Sequence, residues 1–589
     1  TPAAGAVEHR VYHGHDHDAV AVASPDSRVY LGSTRDASFA LNNVRHLGDH
    51  FWRVDSVDAQ GRVTPGRVWR FRPRRLAFPG AEGYGRFAAG GRGGRVYTVT
   101  SLADRGPGTL REAVEAEGPR TVVFAVSGLI TLESRLTVRN PYLTIAGQTA
   151  PGKGITVRGY NLGLLGARDV VIRHLRVRPG DIAGVTLDGM GMASSDHSII
   201  DHASISWSID EAFSSRGARN ITLQRTLISE ALNVAGHKKY RPGTMHGYAA
   251  SISGHVGSFH HNLLAHNSGR NWSLAGGLNN LTQHAGWLDI RNNVVYNWHN
   301  RTTDGGAAKV NFVANYYRPG PATKVFHLLK PERNNIAGFG PQDYYVEGNV
   351  MEGHVGPNDA LGGVLEPEPY ENFIVDRPFF ESHVTTHSAR AAFKIVLSDV
   401  GCTQPMLDEH DRRVIRETLD GTVTYHGSRS GLPGLPDSQT DVGGWEDYPE
   451  ERRSADWDTD SDGLPDWWER IHNLNTSSAP GDFSEANADR DGDAYTNLEE
   501  YLNWIAAPHR HVAPGATIEI DLREYARGFT AAPVFSIERA APGAAILAPD
   551  GRTLRYTAPT GSAGLAEIVF TVRDAEGDVM TRTIGAAVH

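Results

Sequence analysis

The sequence predicts a mainly β protein built round a parallel β-helix, with accessory β-sandwich modules at its ends. Three observations carry this. Short strands rich in Val, Ile and Leu recur through residues 76–350, and most run into Asn or Gly. Aligned on that turn, Leu175, Ala203, Thr226, Asn262, Asn293, Asn315 and Asn349 are spaced by 28, 23, 36, 31, 22 and 34 residues. One strand motif per repeat of this length marks a solenoid. No helical pattern separates the strands, which argues against an open βαβ sheet. The shortest spacings, 22 and 23, match one bare coil, and the longer ones carry loops. The Asn residues at matching corners either stack along the axis or are ordinary turn formers.

Residues 1–75 read as strands. Phe51-Trp-Arg-Val-Asp-Ser-Val-Asp58 alternates large apolar and polar side chains, as a half-buried strand does. Ala59-Gln-Gly-Arg62 turns the chain and Val68-Trp-Arg-Phe71 returns. Thr109 to Glu117 is the clearest early helix, placed to cover the open end of the solenoid and its unpaired edges. Residues 76–445 form the solenoid with a helical wrap: Ala389 to Ser398 and Met406 to Leu419 read as helices on its outside. Residues 446–507 are an acidic module. Residues 508–589 return to strands at Thr517–Asp521, Val534–Glu538 and Glu567–Val572, a small Ig-like sandwich suited to an accessory role.

Composition narrows the function. At roughly 150 residues per domain, 589 residues predict three or four domains. Hydrophobic residues are 40% and charged residues 21%, enough for large cores. No apolar run approaches the ~20 residues that span a bilayer. Cys402 is the only cysteine, which excludes a disulfide framework and a cysteine-based zinc site. Residues 451–500 carry 14 Asp and Glu against 4 Arg, and the rest balances at 54 against 54, so this stretch holds the whole net charge of −10. With no strongly basic part, a nucleic-acid partner is disfavoured.

The clustered acids have a pattern. Asp458, Asp460, Asp462, Asp466 and Glu469 occupy positions 1, 3, 5, 9 and 12 of a twelve-residue calcium loop, with Gly463 at position 6. Asp489, Asp491, Asp493, Asn497 and Glu500 repeat it, with Ala494 at position 6. The pair resembles thrombospondin type 3-like repeats, and residues 1–75 resemble the later strands of a fibronectin type III domain, whose opening strands lie outside this sequence.

Several ordered motifs carry a larger resemblance. Phe78-Pro-Gly-Ala-Glu-Gly-Tyr-Gly85, Ile145-Ala-Gly-Gln-Thr-Ala-Pro-Gly152, Ile172-Arg-His-Leu-Arg-Val-Arg-Pro-Gly-Asp181, Ile200-Asp-His-Ala-Ser-Ile-Ser-Trp207 and His260-His-Asn-Leu-Leu264 resemble the bacterial pectate lyases of polysaccharide lyase family one. The resemblance covers about residues 76–445. It implies a right-handed β-helix, extracellular action and calcium-assisted β-elimination on an acidic polysaccharide substrate; the chain is expected to be a monomer. Eight residues past Asn262, it implies Arg270 as the catalytic arginine. Trp272 stands where the family has Pro and is expected to bind substrate, and Ala275 stands near the family's second arginine. Fourteen residues before His202, it implies Asp188 as a calcium ligand, then Asp210 and Glu211, while Ser214 stands where a third acid is expected. A substrate-binding lysine is implied in the loop holding His237, Lys238 and Lys239.

Arginine is an awkward base, because its pKa exceeds 12. His202, His246 and Tyr248 offer easier bases at neutral pH. The changed residues leave room for ulvan, glucuronan or fucoidan as substrate. A non-catalytic carbohydrate-binding β-helix is a second class, and a glycoside hydrolase using Asp188, Asp201 and Asp210 a third.

Overall fold

A computed structural model describes residues 5–41, 49–71, 73–274, 286–331, 342–359, 361–365, 369, 372–561 and 563–589. Two compact units divide the chain. The first holds residues 1–76 with 489–495, the second residues 77–488 with 496–589.

In the first unit, His50–Asp58 is the central strand of a five-stranded antiparallel sheet. It pairs with Ala6–Gly14 on one side, and with Val63–Thr64 and Trp69–Phe71 on the other. Arg53 is buried within it, because Asp55 and the carbonyls of Val20, Ala21 and Ala23 satisfy its guanidinium.

The second unit is a right-handed parallel β-helix with further modules. Each coil gives one strand to each of three parallel sheets, of 11, 9 and 8 strands among the described residues. The register stacks like on like. Ile145, Ile172, Ile200, Leu223, Phe259, Ile290, Phe312 and Val346 form one continuous row. All are buried in a single core, and each such side chain contributes roughly 1.5–3 kcal/mol relative to exposure.

The asparagines stack. Asn262 Nδ2 donates to Asn293 Oδ1, Asn293 to Asn315, and Asn315 to Asn349, at 2.9 to 3.0 Å. Each also donates to a carbonyl one coil back, such as Phe259 O for Asn293. A buried turn has no water to satisfy its backbone, so the ladder supplies the partners. Helix α1 (Leu110–Glu115), capped by Thr109, packs Leu110, Ala113 and Val114 into the first coils. The Gly-rich segment around Gly85 lies on the large sheet. Its amide donates to Thr222 Oγ1, and a Cβ there would meet Ser198 O at 2.3 Å.

Helices α2 (Ala389–Asp399) and α3 (Glu409–Asp420) press Val396, Leu397, Val414 and Ile415 onto the nine-stranded sheet's outer face, against Leu227, Leu263 and Val294. The second expected helix starts at Glu409 rather than Met406, because Asp408 caps it. Helices α4 (Asp466–His472) and α5 (Asn497–Ala506) follow. Sheets of four and three strands then enclose their own core.

Candidate active site

The eight-stranded sheet positions the site. Its ladder pairs Met190 with Phe213, Phe213 with Ala250, Ser251 with Ser273, and Ser273 with Asp304. Counting back two or three residues from these pairs puts Asp188, Glu211 and Tyr248 level on successive coils; Tyr248 bridges Gly269, so Arg270 stands one residue beyond it, and Arg301 follows on the next coil. Coils lie one strand spacing apart, about 4.8 Å, so these side chains are neighbours. Two carboxylates, a phenol and two guanidiniums thus line one edge of the sheet.

Asp188, Asp210 and Glu211 bring carboxylate oxygens within 4.8 Å of one another. Burial, reinforced by Asp210, pushes the Asp188 carboxyl up to about 6. Ser214 opposes that rise by hydrogen-bonding the charged form. Glu211 pairs with Arg270 and accepts a hydrogen bond from Ser251 Oγ at 3.0 Å.

Arg270 is three-quarters buried, with its backbone in the left-handed region at φ 54°. Its Nη1 donates to Ser251 Oγ at 3.2 Å, and the guanidinium lies 4.5 Å from the Tyr248 ring centre. Burial, and then the charge of Arg301, lower its pKa from the usual arginine value. Arg301 stands 5.1 Å from the same ring. Its Nε and Nη2 donate to the two oxygens of Asp304 at 2.6 and 2.8 Å. Burial works against its charge, but Asp304 outweighs it and holds the pKa above normal.

The loop before Tyr248 closes the other side. His237 Nε2 and His246 Nε2 face Asp210 Oδ1 at 3.3 and 3.6 Å, with the rings stacked at 4.4 Å. Burial pulls His246 down to about 4 against the attraction of Asp210. His237 Nδ1 accepts from the Lys239 amide, and the Lys238 amide donates to Thr186 Oγ1. Both lysine side chains are exposed.

The structure revises several expectations. Trp272 cannot stack on a substrate: it is fully buried in the β-helix core, against Phe259, because the strand turns its side chain inward. His202 shares no contact with Arg270. It sits at another corner, between Asp201 at 2.9 Å and Asp399 at 3.5 Å, and stacks on His174. Asp201 is tied to Arg173 and Gln224, so the hydrolase trio with Asp188 and Asp210 is not assembled. Ala275 lies outside the described residues. Arg301 and Ser251 escaped the sequence reading. Arg301 follows Arg270 by 31 residues, the same step as Asn262 to Asn293, and that step was the available signal.

In the first acidic loop, Asp458, Asp460 and Asp462 converge within 4.8 Å. Asp466 instead accepts from Thr459 and pairs with Arg470 at 2.8 Å, so its carboxylate clasps the loop. In the second loop, Asp489 accepts from the Gly492 and Ala494 amides, Asp491 from that of Asp493, and Asp493 from that of Tyr495. Asp493 also pairs with Arg75 at 3.2 Å. Asn497 and Glu500 lie in α5, in the other unit.

No family model matches the chain. "Probable pectate lyase C" of Aspergillus flavus is 31% identical over 459 residues, covering 75% of this chain and 98% of that protein. Its counterpart in Emericella nidulans is 34% identical over 403 residues, covering 66% and 85%. "Probable pectate lyase 4" of Arabidopsis thaliana matches 159 residues at 34% identity, 26% of this chain and 42% of that protein. These relatives are fungal and plant proteins, where the sequence motifs had suggested bacterial ones. The cedar-pollen allergen jun a 1 aligns over 55% of this chain and 92% of its own at 16% identity and TM-score 0.39. Similarity across nearly the whole length of the fungal proteins shows that the chain belongs to the pectate lyase family of polysaccharide lyases.

Proposed function

We propose that the chain acts outside the cell on a polygalacturonate-like chain, cleaving it by β-elimination in the groove along the eight-stranded sheet. One observation carries this: neighbouring positions on adjacent coils bring two carboxylates, Tyr248, Arg270 and Arg301 together. Arg270 removes the proton at C5 of a uronate. The C–H electron pair becomes a C4–C5 double bond, and the C4–O pair leaves with the departing sugar, which takes up a proton. No water is added. Burial and Arg301 both favour the neutral guanidine needed of a base.

Asp188, Asp210 and Glu211 fit a calcium ion, since hard carboxylate oxygens converge and burial, reinforced by Asp210, disfavours the Asp188 charge that a cation would stabilise. Bound there, calcium would neutralise the uronate carboxylate and so ease charge build-up at C5. Arg301, fixed on Asp304, presents its remaining N–H groups as a second contact for substrate carboxylate. Lys238 and Lys239 extend the positive rim.

Tyr248 carries a second reading as the base, because its ring lies 4.5 and 5.1 Å from the Arg270 and Arg301 guanidiniums at the same edge of the sheet. A panel of uronate polysaccharides, read by near-ultraviolet absorbance of the unsaturated product, tests the proposal. Activity should be greatest on polygalacturonate, fall with chelator and vanish in Asp188→Ala. Activity indifferent to chelator would reject the calcium part. A Tyr248→Phe variant that is dead while Arg270→Ala retains turnover would favour the second reading.

A further inference from the structure

The structure assigns a second divalent-cation site, distinct from the groove: Asp458, Asp460, Asp462 and Glu469 seat a calcium-like ion that latches helix α4 onto the first β-helix coils. Each aspartate spends one oxygen on folding the loop. Asp458 accepts from the Gly463 amide, Asp460 from that of Ser478, and Asp462 from that of Leu464. The remaining oxygens, Asp458 Oδ1, Asp460 Oδ1 and Asp462 Oδ2, are buried and have no hydrogen-bond partner. Glu469 is the decisive group. It is 0% exposed, and both its oxygens lack a partner.

Five buried carboxylate oxygens without a donor carry a cost that folding alone does not offset. No Lys or Arg pairs with these four acids among the described residues, and Arg470 is held by Asp466. Hard oxygens from positions 1, 3, 5 and 12, round a Gly463 at φ 95°, are the donor set of a calcium loop.

Packing gives the site its role. Leu464, Trp467 and Trp468 share a cluster with Val96, Val123 and Ala146 of the first coils, and with Leu498, Tyr501 and Ile505 of α5. A Cβ on Gly463 would meet Val96 Cγ1 at 2.9 Å, so the loop's turn rests on the first strand. Drawing Glu469 to the three aspartates fixes α4 and seats both tryptophans. Without the ion, repulsion among four acids pushes α4 away from that seat.

Terbium titration of the full chain tests this, because Trp457 and Trp468 adjoin Asp458 and Glu469 in sequence and can sensitise a bound lanthanide. The Asp188→Ala chain should give saturable luminescence that calcium displaces. Adding Glu469→Gln or Asp462→Asn should cut it at least tenfold, and an undiminished signal overturns the site. Hydrogen exchange on the unmodified chain needs no variant. Chelator should raise exchange at least tenfold over residues 458–488 and Arg95–Val99, and leave coils 287–318 protected. Unchanged exchange over 458–488 overturns the latch. Neither readout depends on turnover, so the latch stands or falls apart from the lyase reading.

Discussion

Replacing Arg270 separates three roles that the geometry alone leaves together. The guanidinium pairs with Glu211, donates to Ser251 and covers the Tyr248 ring. As the base, it should be worth at least ~10²-fold in kcat, about 2.7 kcal/mol of barrier. Arg270→Lys keeps a charge but loses the planar fork that spans Glu211 and Ser251, so it should fall nearly as far as Arg270→Ala. A second effect has the opposite sign. Glu211 is only 7% exposed and is neutralised mainly by Arg270. Freed of it, Glu211 becomes a full ligand beside Asp188 and Asp210, and calcium should bind the groove roughly tenfold tighter, about 1.4 kcal/mol. The assays are initial rates by near-ultraviolet absorbance and calcium titration by calorimetry. A dead Arg270→Ala chain with tighter groove calcium is folded and lacks its base, whereas misfolding would weaken both. A raised KM with kcat intact would reduce Arg270 to a clamp. Wild-type turnover in Arg270→Ala would exclude Arg270 from the reaction.

Other expectations follow from the same geometry. Arg301→Lys should raise KM about tenfold through loss of the fork on Asp304, with kcat changed less, measured by steady-state kinetics. Asn293→Ala strips partners from Asn262, Asn315 and Phe259 O inside the ladder, and should cost about 3 kcal/mol in urea unfolding. His202 gives a pH signature. Burial lowers its pKa, but Asp201 and Asp399 outweigh that and raise it, while the neighbouring His174 is kept neutral by burial. A raised pKa means its stabilisation is complete below about 6.5 and is lost as pH rises through the folded value. Asp399→Asn should therefore flatten the fall in Tm above that pH, and an unchanged slope would show that His202 is not the group.

Most of the solenoid was legible because its signal is repetitive. Asn262, Asn293, Asn315 and Asn349 are each ordinary turn residues alone, and only their spacing reveals the ladder. The groove was legible in part for the same reason: Asp188 to Glu211 is 23 residues and Arg270 to Arg301 is 31, both coil lengths already visible in the turn positions. Facing was not legible. Trp272 lies two residues after Arg270, yet it points into the core, since inward and outward positions near a turn do not alternate simply. Partner choice was not legible either. Asp466 fits a calcium-ligand position, but Arg470 one helical turn on claims its carboxylate. His202 and Arg270 both sit in family-like motifs, and only the assembled coils show them at different corners.

The central claim is that this groove breaks the chain by elimination rather than hydrolysis. Mass spectrometry of the exhaustive digest of polygalacturonate measures it directly. Elimination yields fragments whose masses sum to the parent chain, each new non-reducing end unsaturated, with no oxygen taken from labelled water. Fragments that gain one water per cut, with label incorporated, would contradict it.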